Sequence, residues 1–114
     1  MHVTIYHNPN CSNSRKALEI IRAHGIAPHI AEYLKTPLTP QDLRHLIHDQ
    51  MHVPVREVIR NKEAVYAEMQ LDGADDDTLL AAVAAHPILL NRPIVVTAKG
   101  AKLCRPGEVV ESIL

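Results

Sequence analysis

The 114-residue sequence predicts an α/β fold: a mixed four-stranded sheet with a helical insertion between its second and third strands. The opening part of the chain reads as strand, helix and strand, which is the βαβ unit that joins two parallel strands. Several helix signals fill the middle of the chain, and two strand-like runs follow them as a hairpin. These observations predict one domain over residues 1–114, with the insertion at about 38–86.

The predicted βαβ unit begins with Val3–Tyr6, an apolar run of strand type. A polar loop carrying Cys11 follows, and the next residues place apolar side chains at helical spacing up to Gly25. Glycine just after the last helical turn is a common C-terminal signal, so we expect the helix to end there. His29–Tyr33 is again extended, and a right-handed crossover makes it parallel to the first strand.

The insertion is predicted to be helical because it carries several helix start signals. Thr39, Pro40 and Asp42 form the clearest one: an N-cap, a proline at the first helical position and an acidic residue at the third. Further helices are expected over Pro54–Ile59, over Asn61–Met69, and from Asp75–Asp77 to the His86-Pro87 dipeptide.

The end of the chain completes the predicted sheet. Ile94–Thr97 and Ala101–Cys104 flank a Lys99-Gly100 turn and should form an antiparallel hairpin, after which Pro106 opens a last helix. A mixed sheet that carries its reactive group after the first strand is the thioredoxin-like arrangement of an α/β domain.

Composition excludes several classes of function. The formal net charge is −1 and the pI is near 6.7, which argues against a general binder of nucleic acid or of anionic membranes. No leader or membrane-spanning run is recognisable, so we expect a cytoplasmic protein. Cys11 and Cys104 lie far apart and form no C-x-x-C pair, which favours reduced thiols over a disulfide scaffold.

Cys11 is the strongest candidate for a reactive group. It precedes a helix N-terminus, where unpaired N–H groups and the helix dipole stabilise a thiolate or a bound oxyanion. His7 and Arg15 could add positive charge, and the hydroxyl of Ser14 could donate to the sulfur anion. The alternative is a small buried cysteine beside an ordinary capped helix, but burial does not require so many polar neighbours.

Three segments carry a resemblance to a known family. They are H-N-P-N-C-S-N-S-R at His7–Arg15, V-R-E-V-I-R at Val55–Arg60, and H-P-I-L-L-N-R-P-I-V-V with L-C-R-P at Leu103–Pro106. Together they resemble the glutaredoxin-dependent arsenate reductase family, in the same order and over nearly the whole chain. The resemblance implies a thioredoxin-like fold and the reduction of arsenate.

The resemblance also implies residue roles. Cys11 matches the cysteine that attacks arsenate, His7 a residue taken to keep the thiol ionised, and Ser14 a hydroxyl that stabilises it. The arginines that match the oxyanion ligands are Arg60, Arg92 and Arg105. Residues expected to support the loop are Asn8, Asn13, Arg15 and Pro93, the last at a position that is often cis in this fold.

The implied chemistry suits these residue types. Arsenate is a tetrahedral anion like phosphate, and guanidinium groups give such anions charge-assisted, often bidentate hydrogen bonds. No second cysteine lies in the Cys11 loop, so the resemblance implies glutathione as co-substrate and glutaredoxin as partner, with no bound cofactor. On spacing alone, however, the arginines would be interpreted as scattered surface residues.

Other chemistries fit the spacing less well. A phosphatase loop needs C-x5-R, but the sixth residue after Cys11 is Ala17. His45, His48 and His52 share a helical spacing, yet a solvated helix face explains them better than a metal site. Cys104 is most simply a strand residue.

One alternative function stays open at this point. Regulators of the Spx type and uncharacterised reductase-like proteins resemble the same family, so the chain could bind a protein partner without reducing arsenate. Retention of all three arginines favours the enzyme, because a module that binds a protein partner has no need of a convergent oxyanion clamp.

Overall fold

The computed structural model describes residues 2–114 and divides into two compact units. The first unit comprises the chain up to Thr36 together with Arg92–Leu114, and the second comprises Pro37–Asn91. The expectation of a single domain, with an insertion at about 38–86, is not tested by this division and stays a prediction. No helix among residues 2–114 is long and apolar enough to cross a membrane.

The first unit contains a mixed four-stranded sheet. Its strands are β1 (Thr4–Tyr6), β2 (His29–Ala31), β3 (Ile94–Thr97) and β4 (Gly100–Leu103), in the spatial order β2-β1-β3-β4. β1 pairs with β2 in parallel, whereas β1–β3 and β3–β4 are antiparallel. The predicted α/β class, βαβ unit and hairpin are therefore confirmed, but some strand bounds differ from the prediction. β2 ends two residues before the expected Tyr33. β4 begins at Gly100 and ends at Leu103, so the turn lies at Ala98-Lys99 and Cys104 follows the strand.

Helix α1 (Ser12–Ala23) forms the crossover between β1 and β2. Its buried face packs into a cluster with the sheet and with the end of the chain. The members of this cluster are Val3, Ile5, Ala17, Leu18, Ile20, Ile21, Val95, Cys104, Val110 and Ile113. Gly25 follows the helix with a φ of 76°, as expected for a glycine that ends a helix.

The last helix of the first unit differs from the expected one, because Gly107–Ile113 is a 3₁₀ helix. In this geometry residues three apart share a face, which explains why Val110 and Ile113 are both buried against α1. Its first residue lies very close to α1: a Cβ on Gly107 would come within 2.7 Å of the Asn13 carbonyl oxygen. Glycine is what permits this approach.

The second unit is helical, as predicted. Helix α2 (Pro40–Arg44) starts with the expected capping box between Thr39 and Asp42, then continues through a π-helical turn over His45–Met51. The unit also holds helices α3 (Ala64–Glu68) and α4 (Asp76–Ala85) and short 3₁₀ helices at Val55–Val58 and Pro87–Leu89.

Two helix boundaries in the second unit were predicted wrongly. The helix expected through Ile59 ends at Val58, because Ile59 forms an antiparallel bridge with Leu90. The helix expected over Asn61–Met69 is limited to α3. In both places a contact with a distant part of the unit, or a turn, replaces the local helical preference.

Candidate active site

The register of the sheet brings together the segments that surround Cys11. Tyr6 at the end of β1 lies opposite Ile94, and Ile94 lies opposite Leu103. The residues just beyond this row are therefore neighbours at one edge of the sheet. They are His7 on the way to the Cys11 loop, Arg92-Pro93 before β3, and Cys104-Arg105 after β4.

Cys11 is the N-cap residue of α1, with an extended φ of −96°. Its N–H donates to the Asn8 carbonyl at 3.0 Å, and its carbonyl accepts the first helical hydrogen bond from the Arg15 N–H. Only 7% of the residue is exposed. The loop thus places the sulfur at the positive end of a twelve-residue helix.

The surroundings of the sulfur favour its ionised form. Burial by itself would raise the pKa of Cys11, but the main-chain N–H of Ser14 opposes it, followed by the charge of Arg92. The N–H of Asn13 and the side chain of Arg105 contribute further, and the pKa is lowered below the ordinary value of a cysteine. Cys11 is therefore the candidate nucleophile of the site, because its surroundings favour the thiolate.

Arg105 makes the shortest described contact between a positive side chain and the sulfur. Its Nη1 donates to Cys11 Sγ at 3.6 Å and to the Arg92 carbonyl at 3.0 Å. One guanidinium thus links the nucleophile to the segment before β3. Arg92 acts on the thiol through its charge, so the structure brings two of the three predicted arginines together with Cys11.

His7 and Ser14 form a buried pair next to the loop. His7 Nδ1 lies 2.7 Å from Ser14 Oγ, which also accepts the Asn8 N–H at 3.0 Å. Among residues 2–114 no hydrogen bond joins this hydroxyl to Cys11 Sγ, and the group of Ser14 that lowers the pKa of the thiol is its main-chain N–H. The role expected for the hydroxyl stays a prediction.

The positive charge suggested for His7 is disfavoured at neutral pH. Burial lowers the pKa of His7, and the charges of Arg22 and Arg15 lower it further, while Glu32 opposes them. An imidazole with a pKa below 6.5 is mostly neutral at pH 7. His7 therefore acts on the loop through its hydrogen bond to Ser14.

The residues predicted to support the loop make specific contacts. Arg15 Nη1 donates to the Pro9 carbonyl at 3.0 Å, and Asn8 Oδ1 accepts the N–H of Asn10 at 3.0 Å. Asn13 Oδ1 accepts the Gly107 N–H at 3.3 Å, which ties the first turn of α1 to the segment after Arg105.

Pro93 lies at the same edge of the sheet. The Arg92–Pro93 peptide bond is cis, as the resemblance implies, and the Pro93 carbonyl accepts the Cys104 N–H at 2.9 Å. The Arg105–Pro106 bond is cis as well. The segments that carry Arg92 and Arg105 are therefore joined by a main-chain hydrogen bond directly beside both arginines.

Arg60 belongs to the second unit. Its Nη1 donates to Glu63 Oε1 at 3.0 Å and to the Ile88 carbonyl at 3.5 Å. Glu63 was not among the site residues expected from the sequence, although a carboxylate three residues after an arginine is a recognised pairing distance. Gly107 was also overlooked, and the Pro106-Gly107 dipeptide was the available signal.

Cys104 has a different environment. It is fully buried, and burial raises the pKa of its thiol to about 11. Its Sγ lies 3.5 Å from the Lys102 carbonyl. This thiol is protonated at neutral pH and is a core residue of the first unit.

Two histidines of the second unit lie within hydrogen-bond distance of carboxylates. His45 lies 3.1 Å from Asp49, and His48 lies 3.2 Å from Asp76. Among residues 2–114 no group of three or more His, Cys, Asp or Glu side chains could hold a metal ion.

Fold and site together define a class: thioredoxin-like α/β proteins with a single activated cysteine at a helix N-terminus, flanked by guanidinium groups. Within that class the chain belongs to the ArsC family, whose model matches residues 6–113. The chain is 50% identical to the arsenate reductase of Escherichia coli (strain K12), over 99% of this chain and 81% of that protein.

Two further relatives agree with this placement. An arsenate reductase of Rhizobium meliloti (strain 1021) is 47% identical over 100% of this chain and 82% of its own length. The solved structure of an arsenate reductase from Vibrio cholerae superposes with a TM-score of 0.94 at 43% identity, over 100% of this chain and 98% of that one.

Proposed function

We propose that this protein is an arsenate reductase in which Cys11 is the nucleophile. The observation that carries the proposal is the Cys11 sulfur at the N-terminus of α1, with a lowered pKa and with Arg105 Nη1 at 3.6 Å. Similarity to proteins named arsenate reductase over nearly the whole chain supports this choice of substrate.

Arg92 and Arg105 are proposed to bind the oxyanion beside the sulfur. Both already stabilise negative charge on Cys11, and their guanidinium groups suit a tetrahedral anion. The assignment of Arg60 as a third ligand rests on the family resemblance. The positive guanidinium groups would also stabilise the negative charge that develops on the arsenate oxygens when the sulfur–arsenic bond forms.

The reaction begins with attack of the Cys11 thiolate on arsenic(V). A sulfur–arsenic bond forms, and one arsenate oxygen leaves as water after protonation. Over the whole cycle two external thiols are oxidised to a disulfide, and their two electrons reduce arsenic(V) to arsenic(III). Arsenate and two thiols thus yield arsenite, one disulfide and one water.

The reducing thiols are proposed to come from glutathione and glutaredoxin. Cys104 is a poor internal reductant, because it is buried and burial raises the pKa of its thiol to about 11. The thiol therefore stays protonated at neutral pH and does not attack as a thiolate. A supply of reduced glutathione is also what the expected cytoplasmic location would provide.

Arsenite production from arsenate tests the proposal. Wild-type protein with glutathione and glutaredoxin should release arsenite, whereas protein alone should stall, and Cys11→Ser should be inactive under all conditions. Mass spectrometry of the protein stalled with glutathione should find an adduct on Cys11.

An intramolecular Cys11–Cys104 disulfide forming in step with arsenite would contradict the external reductant. No adduct and no arsenite with any thiol would favour a protein that binds a partner.

A further inference from the structure

The ion pair between Arg60 and Glu63 differs from the other ion pairs of residues 2–114. Its side chains are 27% and 24% exposed, and Nη1 and Oε1 are 3.0 Å apart. In every other described pair both side chains are at least 39% exposed. Exposed pairs contribute little, whereas a partly buried pair holds its two side chains in a defined geometry.

The carboxylate of Glu63 does not cap the helix that it precedes. It is the N-cap residue of α3, where a side chain would ordinarily accept a helical N–H, yet it makes no capping hydrogen bond. Ser, Thr, Asp and Asn are the usual residues at such a position. The long side chain of Glu63 serves the pair with Arg60 instead.

The main chain around Arg60 is also fixed. Its N–H donates to the Leu89 carbonyl at 2.8 Å, and the Asn91 N–H donates to the Val58 carbonyl at 2.8 Å, on either side of the Ile59–Leu90 bridge. Within residues 2–114 the hydrogen bonds of the guanidinium all involve Nη1. The opposite edge, formed by Nε and Nη2, keeps two parallel donors for a ligand.

We propose that Glu63 is a positioning residue that fixes the guanidinium of Arg60 and leaves its Nε and Nη2 donors available to bind the substrate oxyanion. This inference rests on the proposed function, in which Arg60 binds arsenate. A guanidinium already fixed by a carboxylate loses less conformational freedom when it binds an anion bidentately. The pair would therefore improve the binding of arsenate without taking part in bond changes at arsenic.

The variant Glu63→Ser separates this role from the fold, because serine is a preferred N-cap but is too short to reach Arg60. We expect its melting temperature to equal or exceed that of wild type. The KM for arsenate should rise about threefold to tenfold, the cost of immobilising one long side chain when the anion binds, while kcat stays within about twofold. Inhibition by phosphate, which cannot be reduced, should weaken by the same factor.

Glu63→Gln keeps an acceptor oxygen at the same reach and should recover most of the affinity for arsenate. The matched control is Asp77→Ala, which removes the carboxylate of an exposed pair with Arg44 in the same unit and should leave KM unchanged. A wild-type KM in Glu63→Ser, with normal wild-type turnover, would overturn this inference alone. Absence of arsenite from the wild-type protein would overturn the proposed function and this inference with it.

Discussion

The two cysteines of the chain are both buried, yet the pKa values of their thiols are shifted in opposite directions. Cys11 is 7% exposed and its pKa is lowered, whereas Cys104 is 0% exposed and burial raises its pKa to about 11. Burial disfavours the thiolate at both positions. The two sulfurs differ in the groups that stabilise the thiolate. Two helical N–H groups and two arginines lower the pKa of Cys11, whereas only the charge of Lys102 acts against burial at Cys104.

Position in the fold explains this difference. Cys11 lies where β1 ends and α1 begins, so the unpaired N–H groups of the first helical turn are directed toward its sulfur. Cys104 follows β4, and its main-chain N–H is already used by Pro93. Two buried cysteines at the same end of one sheet can therefore have thiols with opposite pKa shifts.

The largest expected effect is on turnover. Cys11→Ser should reduce arsenite production by at least about 10³-fold, because it removes the nucleophile itself. Cys104→Ala should keep near wild-type kcat but lower the free energy of unfolding by about 1–2 kcal/mol, because it leaves a small cavity in the core. Steady-state assays and thermal unfolding of both variants check this, and full inactivation of a folded Cys104→Ala would contradict the distinction.

A smaller effect is expected from removing one cation. Arg105→Ala should raise the pKa of Cys11 and lower kcat/KM for arsenate about 10²-fold, as expected for the loss of a charge-stabilising donor. Arg44→Ala, which removes an exposed arginine of the second unit, is the matched control. An unchanged alkylation pH profile in Arg105→Ala would show that the contact at 3.6 Å does not stabilise the thiolate.

The smallest effect on the thiol is expected at Ser14. Ser14→Ala removes the partner of His7 and of the Asn8 N–H in a buried setting, so it should lower stability by about 1–3 kcal/mol. The pKa of Cys11 should change less than in Arg105→Ala, because the main-chain N–H of residue 14 remains. If the pKa of Cys11 changed more in Ser14→Ala than in Arg105→Ala, the Ser14 hydroxyl itself would be shown to stabilise the thiolate.

Features set by neighbouring residues were predictable from the sequence. The capping box of Thr39 and Asp42 and the helix end at Gly25 depend on local chemistry, and both are confirmed. The hairpin is confirmed as well, with its turn one residue earlier than predicted, at Ala98-Lys99. The location of Cys11 at a helix N-terminus follows from the same kind of signal.

Features set by packing were not predictable. The charge of His7 depends on burial, and the partner of the Ser14 hydroxyl depends on which buried side chain reaches it. The 3₁₀ form of the last helix depends on its close contact with α1, and the end of the helix before Ile59 depends on a bridge to Leu90. Apart from the Pro106-Gly107 dipeptide, none of these contacts leaves a signal in nearby residues.

A pH titration of alkylation rates on Cys104→Ala and Cys11→Ser proteins compares the two thiols separately. The rate follows the thiolate fraction, which rises with pH through the pKa of each thiol. Cys11 alone should react fast, with a midpoint below the ordinary pKa of a cysteine, and Cys104 alone should stay slow until about pH 11. Fast alkylation at low pH that survives in Cys11→Ser would contradict the assignment of Cys11 as the nucleophile.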